Sequence, residues 1–379
     1  MKKYFQIVLF IIPILIFVFG INWYVDSYGA LRITYDEIAD HMVNSKQNVT
    51  YLSDSNANDR YLLLAVYKKM ETAPETAVIG SSRVMNFEKG MFEGSFYNAS
   101  LSEATIYDLL AATGIMAYNN KLPKRMIIGV DSFLFNPSLN NDRWKDLEVY
   151  EKYMESLIEA EAENSEVSAK TNSFLKDNVT SDVDFGKNFN SDKTINTGFD
   201  MSKALSLDYF RYNIDLFFEG ERFRAEYTDN WDNEVQTKHC DGSLSYESGH
   251  RDAPVEDVIA LTNAAIDEHV VYRMPGCKEV DKESMALLSN LIKYLVNQGV
   301  EVSIYLPPYS PMMYDYIESD PEYVIIDEIE SEVRKMVSDQ KNDLIKIYGS
   351  YNPYPCGLEM SDLYDIYHIK AEAMMKTLY

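Results

Sequence analysis

Basic residues are in short supply. Lys and Arg number 35 against 60 Asp and Glu, a net charge of −25. A chain this acidic lacks the basic face that nucleic-acid phosphates require, which excludes nucleic acid as a partner. Cysteine is scarce too, with only Cys240, Cys277 and Cys356. No C-x-x-C or His-rich spacing accompanies them, so neither a disulfide-built scaffold nor a structural zinc site is expected. Cys240 and Cys277 flank one stretch and could pair; the alternative is three free thiols. Internal repeats and low-complexity tracts are absent. Apolar runs of membrane-spanning length are limited to one. What remains is ordinary for a folded protein: 379 residues, 46% hydrophobic and 25% charged, enough for one large domain or two modest ones. Tyrosine is abundant, 29 against 17 Phe and 3 Trp. Such a composition suits carbohydrate or wet interfaces, and is equally read as compositional habit.

The single long apolar run is at the N-terminus. After Met1-Lys2-Lys3 the chain is apolar from Tyr4 to Val25, interrupted only by Gln6, Gly20 and Asn22. About 20 apolar residues span a bilayer as a helix. The run ends in Asn22-Trp23-Tyr24-Val25-Asp26, an aromatic interface anchor without the small-residue pattern of a cleavage site. The expectation is an uncleaved signal anchor over residues 1–29, with the lysines in the cytoplasm and the acidic remainder outside the cell membrane.

Residues 30–73 read as a helical linker region, with a helix starting at Asn58-Asp59-Arg60-Tyr61. Beyond it, short apolar runs alternate with helical periodicity. Thr76–Gly80, Arg125–Val130, Val300–Leu306 and Leu344–Tyr348 read as buried strands. Helices are expected after Ser100-Leu101-Ser102-Glu103, read as a capping box, and over Glu283–Asn297, Tyr323–Gln340 and Ile369–Leu378. This alternation predicts an α/β domain over 74–379 with a parallel sheet and right-handed crossovers. The alternation fails over about 137–275. Trp144–Ala162 reads as one Glu-rich helix, and 163–200 is dominated by Asn, Ser, Asp and Lys, so this stretch reads as a mostly helical or irregular insertion, a lid or a partner-binding subdomain.

Sites in parallel sheets lie beyond the carboxyl ends of the strands. Three short elements fall there: Gly80-Ser81-Ser82-Arg83, Asp131, and Pro307-Pro308-Tyr309. Ser82 follows a buried strand in a tight glycine-containing turn, a position that exposes a hydroxyl near backbone N–H groups. Of the five histidines, His41, His239, His250, His269 and His368, the last stands in Asp365-Ile366-Tyr367-His368. A carboxylate three residues before an imidazole can hold one tautomer and stabilise the imidazolium formed in proton transfer. Arg83 could help hold an anionic substrate or serve loop structure, and Asp131 could cap the following turn or border the site. A metal site on Asp365 and His368 lacks further recognisable ligands.

The order of these blocks resembles the SGNH/GDSL hydrolase superfamily. Gly80-Ser81-Ser82-Arg83 is similar to its first block, and Asp365-Ile366-Tyr367-His368 to its last. The resemblance implies a flavodoxin-like three-layer α/β/α fold, with Ser82 as nucleophile, His368 as base and Asp365 as orienting group, and no cofactor. It covers roughly 74–136 and 280–379. The second block, Tyr97-Asn98-Ala99-Ser100-Leu101-Ser102, carries Ser100 where the oxyanion-hole glycine is expected. The third, Gly129-Val130-Asp131-Ser132, has no asparagine. The layout is also similar to membrane-anchored accessory proteins of acyl transfer to lipoteichoic acid and exopolysaccharides. That similarity implies an acylated cell-surface polymer as substrate and a membrane-bound O-acyltransferase as partner. The expectation drawn is an extracytoplasmic serine esterase or acyltransferase; the alternative is a non-catalytic binding or scaffolding protein that keeps the fold, and a secreted lipase ranks third, with no long apolar lid helix in sight.

Overall fold

The computed structural model describes residues 2–27, 29–51, 57–163 and 197–378. Most of the Asn- and Ser-rich stretch at 163–200 lies outside the described residues. The chain divides into two compact units: Met1–Met70 with Ile195–Cys240 and Ser245–Glu247, and Glu71–Thr194 with Asp241–Leu244 and Ser248–Tyr379. The segment read as one insertion is thus shared between the units.

In the smaller unit, the helix Lys2–Val25 packs on the helix Leu207–Glu219. Asn22, the polar interruption near the end of the apolar run, is fully buried. Its amide donates to the carbonyls of Lys203, Ala204 and Ser206 at 3.1, 3.2 and 3.1 Å and accepts from Asn213 Nδ2 at 3.1 Å. A buried amide is tolerated only with partners of this kind. Among the described residues no helix is long and apolar enough to cross a membrane. The side chains of residues 1–9 lie outside the described residues. The linker region is not helical throughout. Asn48–Tyr51 is a strand paired antiparallel with Ala225–Thr228 on one side and Thr237–Lys238 on the other. Those partners lie far along the chain, so local periodicity does not reveal the pairing. The helix Asp59–Lys69 begins as expected, with the Asn58 side chain accepting from Arg60 N–H.

The larger unit is α/β. Its strands are β1 (Thr76–Ile79), β2 (Phe96–Asn98), β3 (Arg125–Gly129), β4 (Glu301–Leu306) and β5 (Ile345–Gly349). All neighbouring pairs are parallel, in the order β2-β1-β3-β4-β5. The central residues are buried aliphatics in register: Ile79 faces Ile128, and Ile128 faces Ile304. Strands covered on both faces read as unbroken apolar runs, which is how β1 and β3 show in the sequence; Glu301 and Ser303 interrupt β4, and Lys346 interrupts β5. β2, three residues long, shows no such run. The main helices are α1 (Ile106–Tyr118), α2 (Glu148–Glu163), α3 (Val255–Asp267), α4 (Lys282–Asn297), α5 (Pro311–Ser319) and α6 (Ile325–Asp339).

The cap of α1 is displaced from its expected place. The capping box is Thr105 with Asp108, not Ser100 with Glu103. Residues 99–101 are still tied to the sheet, Ala99 N–H to Val78 C=O at 2.7 Å and Leu101 N–H to Gly80 C=O at 2.9 Å, so no helix can start there. At the C-terminus the expected helix is only Ala371–Met374 with a 3₁₀ turn, Met375–Thr377. Leu363, Ile369 and Met374 pack into the core built on Val78, Ile127 and Tyr305. The three cysteines are free thiols. Burial pushes Cys277 up to about 11, so it is an inert packing residue.

Candidate active site

The strand order places β1 between β2 and β3, so consecutive connections leave the sheet in opposite directions at the β1/β3 boundary. A crevice opens at such a switch point beyond the carboxyl ends of the strands. Two glycines shape the turn there. Gly80 sits at φ +152°, and a Cβ on it would meet Val84 Cγ2 at 2.7 Å and the Gly129 Cα at 3.1 Å. A Cβ on Gly129 would meet Val84 Cγ1 at 2.7 Å. The missing side chains let Val84 drop between the two strand ends. This draws in the 3₁₀ turn Ser82–Val84, and Ser82 stands at its first position with Ser81 as its cap.

Asp365 and His368 reach the same edge through a tight hairpin. Leu363 bridges Ile369, Tyr364 N–H donates to His368 C=O at 2.8 Å, and Lys370 N–H donates to Asp362 C=O at 2.8 Å. Burial of Leu363 and Ile369 holds the hairpin on the core and leaves 364–368 as its tip. Within the tip, Asp365 Oδ1 accepts the backbone N–H groups of Tyr367 at 2.8 Å and His368 at 2.9 Å. Its Oδ2 lies 2.7 Å from His368 Nδ1, and His368 Nε2 lies 2.8 Å from Ser82 Oγ. The three side chains form a continuous hydrogen-bonded relay. With the proton of His368 on Nδ1, held by the carboxylate, Nε2 carries the lone pair that faces the serine hydroxyl.

Burial raises the Asp365 pKa, but hydrogen bonds from His250 and His368 and from the Tyr367 N–H outweigh it and hold the carboxyl well below the usual range. A group depressed in the folded state adds stability that is fully present above its unfolded pKa, near 4, and is lost as pH falls below that. Asp365→Asn is therefore expected to be less stable than wild type at pH 7, with the gap shrinking at pH 3. Urea unfolding at the two pH values reads this directly; a gap that is constant or grows in acid contradicts it.

Arg83 and Asp131 are buried, 3% and 0% exposed. They pair at 3.0 Å. The Arg83 guanidinium also donates to the carbonyls of Pro307 at 3.0 Å, Pro308 at 2.6 Å and Tyr367 at 3.4 Å, and lies 4.8 Å from the Tyr309 ring centroid. Burial works against its charge, and Asp131 with Tyr309 and Tyr305 more than restores it. The arginine thus ties the loops after β1, β3 and β4 and the His368 hairpin into one frame. Asp131 does not cap the turn Ser132–Phe135. Ser100 directs both its backbone N–H, at 3.1 Å, and its hydroxyl to Asn98 Oδ1. Asn98 Nδ2 in turn donates to Val84 C=O at 2.8 Å and Phe87 C=O at 2.9 Å, stitching the nucleophile turn to the end of β2.

Sequence reasoning passed over His250. It sits on the single helical turn Ser248–Arg251, and its Nε2 lies 3.2 Å from Asp365 Oδ2. An isolated histidine in a polar stretch, 115 residues before Asp365, carries no local signal. The other histidines have partners elsewhere: His41 with Gln47, His239 with Ser245 and His269 with Tyr316. Among the described residues, no group of three or more His, Cys, Asp or Glu side chains is arranged to hold a metal ion.

No family model matches the chain. No curated protein matches it either.

Proposed function

We propose that the chain is a serine acyl esterase or acyltransferase of the SGNH type, acting on acyl groups of a cell-surface glycan or teichoic-acid-type polymer. The observation that carries this reading is the Ser82–His368–Asp365 relay, at 2.8 and 2.7 Å, above the switch point of a parallel sheet. Numbered along the sheet unit, the strand order is 2-1-3-4-5, that of flavodoxin-like three-layer folds, which supports the same assignment. In the reaction Ser82 Oγ attacks the acyl carbonyl as His368 Nε2 takes its proton. Collapse of the tetrahedral intermediate expels the alcohol, which receives that proton, and leaves an ester on Ser82. A water or a sugar hydroxyl then attacks this ester as His368 takes its proton, and collapse of the second intermediate hands the acyl group to the acceptor while His368 returns the proton to Ser82 Oγ.

The N-terminal helix serves as a membrane anchor in this reading and a membrane-bound O-acyltransferase supplies the acyl group, with the sheet unit outside the cell membrane. The commitment of the Ser100 donors to Asn98 favours a second reading, a scaffolding protein in an envelope-modifying complex that keeps the fold without turnover. One reagent separates the two. A fluorophosphonate probe is expected to modify the full-length protein at Ser82, located by peptide mass spectrometry; a chain that stays unlabelled is a scaffold. A reporter fused after Ser27 is expected to be active only outside the cytoplasm.

A further inference from the structure

We propose that His250 is a positioning residue of this site, its Nε2–H donating to Oδ2 of Asp365 so that the carboxylate is held by imidazoles from two directions. The inference rests on the Ser82–His368–Asp365 reading. Oδ1 already accepts two backbone N–H groups, and Oδ2 accepts His368 Nδ1. A carboxylate offers about four acceptor sites. His250 would fill the last of them. The ring nitrogen stands 3.2 Å from that oxygen, at the edge of hydrogen-bond reach. The three partners are comparably shielded, with side-chain exposures of 28% for His250, 18% for Asp365 and 19% for His368.

The contact has a chemical consequence. A donor on Oδ2 stops the carboxylate from turning away from His368, and it draws negative charge from the oxygen that faces the imidazole. Removing it leaves more charge against His368 and makes that ring more basic. The other groups facing the pair are Tyr364, whose ring centroid is 6.3 Å from that of His250, with Arg251, Glu88 and Glu372 acting on Tyr364. Tyr367 also lies within electrostatic reach of Asp365, and Tyr309 and Arg83 act on Tyr367 in turn.

The test uses the full chain, with 4-nitrophenyl acetate hydrolysis and the rate of fluorophosphonate labelling at Ser82 as readouts. His250→Ala is expected to lower kcat or the labelling rate by about 10–100-fold with KM little changed. The acid limb of the pH profile should move to higher pH. His250→Gln, whose amide N–H can reach the same oxygen, should retain most of the rate and the wild-type limb. Wild-type behaviour of His250→Ala overturns the proposal. So does a loss without a shift of the limb and without rescue by glutamine, the pattern of a packing role. If the alanine variant fails to fold, the glutamine variant decides: a rate as low as that of His250→Asn, whose shorter amide cannot reach Oδ2, overturns it. Ser82→Ala is run alongside. If that variant keeps activity, or the wild type shows neither turnover nor labelling, the triad reading falls and takes this inference with it. If Ser82→Ala is dead and the histidine variants fail the test, only the role of His250 is lost.

Discussion

Ser82→Ala and His368→Ala are each expected to abolish turnover of a model acyl ester, with a fall on the order of 10⁴-fold or more, and the double variant is expected to be little worse than either. Non-additivity follows from the relay. Without the imidazole the serine hydroxyl has nowhere to send its proton, and without the hydroxyl the imidazole has nothing to activate. Asp365→Asn should lose about 10³–10⁴-fold while the hairpin stays in place, because an amide that donates to Nδ1 holds the wrong tautomer. Ser81→Ala should be mild. Its hydroxyl accepts the Arg83 N–H at 3.2 Å and shapes the turn, and it does not meet His368 in the relay. Steady-state kinetics with circular dichroism as a folding control reads all five variants. Full activity of Ser82→Ala, or dependence on Ser81 instead, sinks the assignment.

Arg83→Met is expected to be the most destabilising single change near the site, by about 3–5 kcal/mol, because it leaves the Asp131 carboxylate buried without its countercharge. It also strips donors from the carbonyls of Pro307 and Pro308, each a further cost. Removing both charges, in Arg83→Met with Asp131→Leu, should restore much of the loss, since an ion pair exchanged for packed apolar side chains is often close to neutral. Chemical denaturation of the wild type, the two single variants and the double variant gives the coupling directly. If the double variant is as unstable as the sum of the singles, the pair is not acting as a unit. Activity should follow a different pattern: the double variant regains stability faster than turnover, because the guanidinium also fixes the Tyr367 carbonyl next to His368.

Much of this arrangement was legible in the sequence for a physical reason. The central parallel strands β1 and β3 are buried on both faces, so their composition announces them, and a serine just past β1 sits at the sheet's carboxyl edge. Asp365 and His368 were legible because both belong to one short hairpin. The remainder depends on contacts across long stretches of chain. Arg83 and Asp131 are each plausible surface or site residues when read alone; only the fold shows that they spend their charge on one another. Ser100 stands at the expected position, yet Asn98 two residues earlier takes its N–H. His250 is brought to Asp365 by a turn whose sequence, Ser248-Gly249-His250-Arg251, says nothing of a destination. The strand Asn48–Tyr51 is equally silent, because its partners are more than 170 residues away.

That separation bears on how the protein is made. The chain emerges from the ribosome at about 5–20 residues per second. Tyr51 pairs with Ala225, 174 residues later by number (225 − 51), so the first strand of the smaller unit waits roughly 10–35 s for its neighbour. During that interval it is an unpaired edge, and the buried amide of Asn22 lacks the carbonyls of Lys203, Ala204 and Ser206. The N-terminal 70 residues therefore cannot complete their fold as they are synthesised, and a nascent chain stalled before residue 240 exposes a sticky, half-built unit to whatever chaperones attend its synthesis.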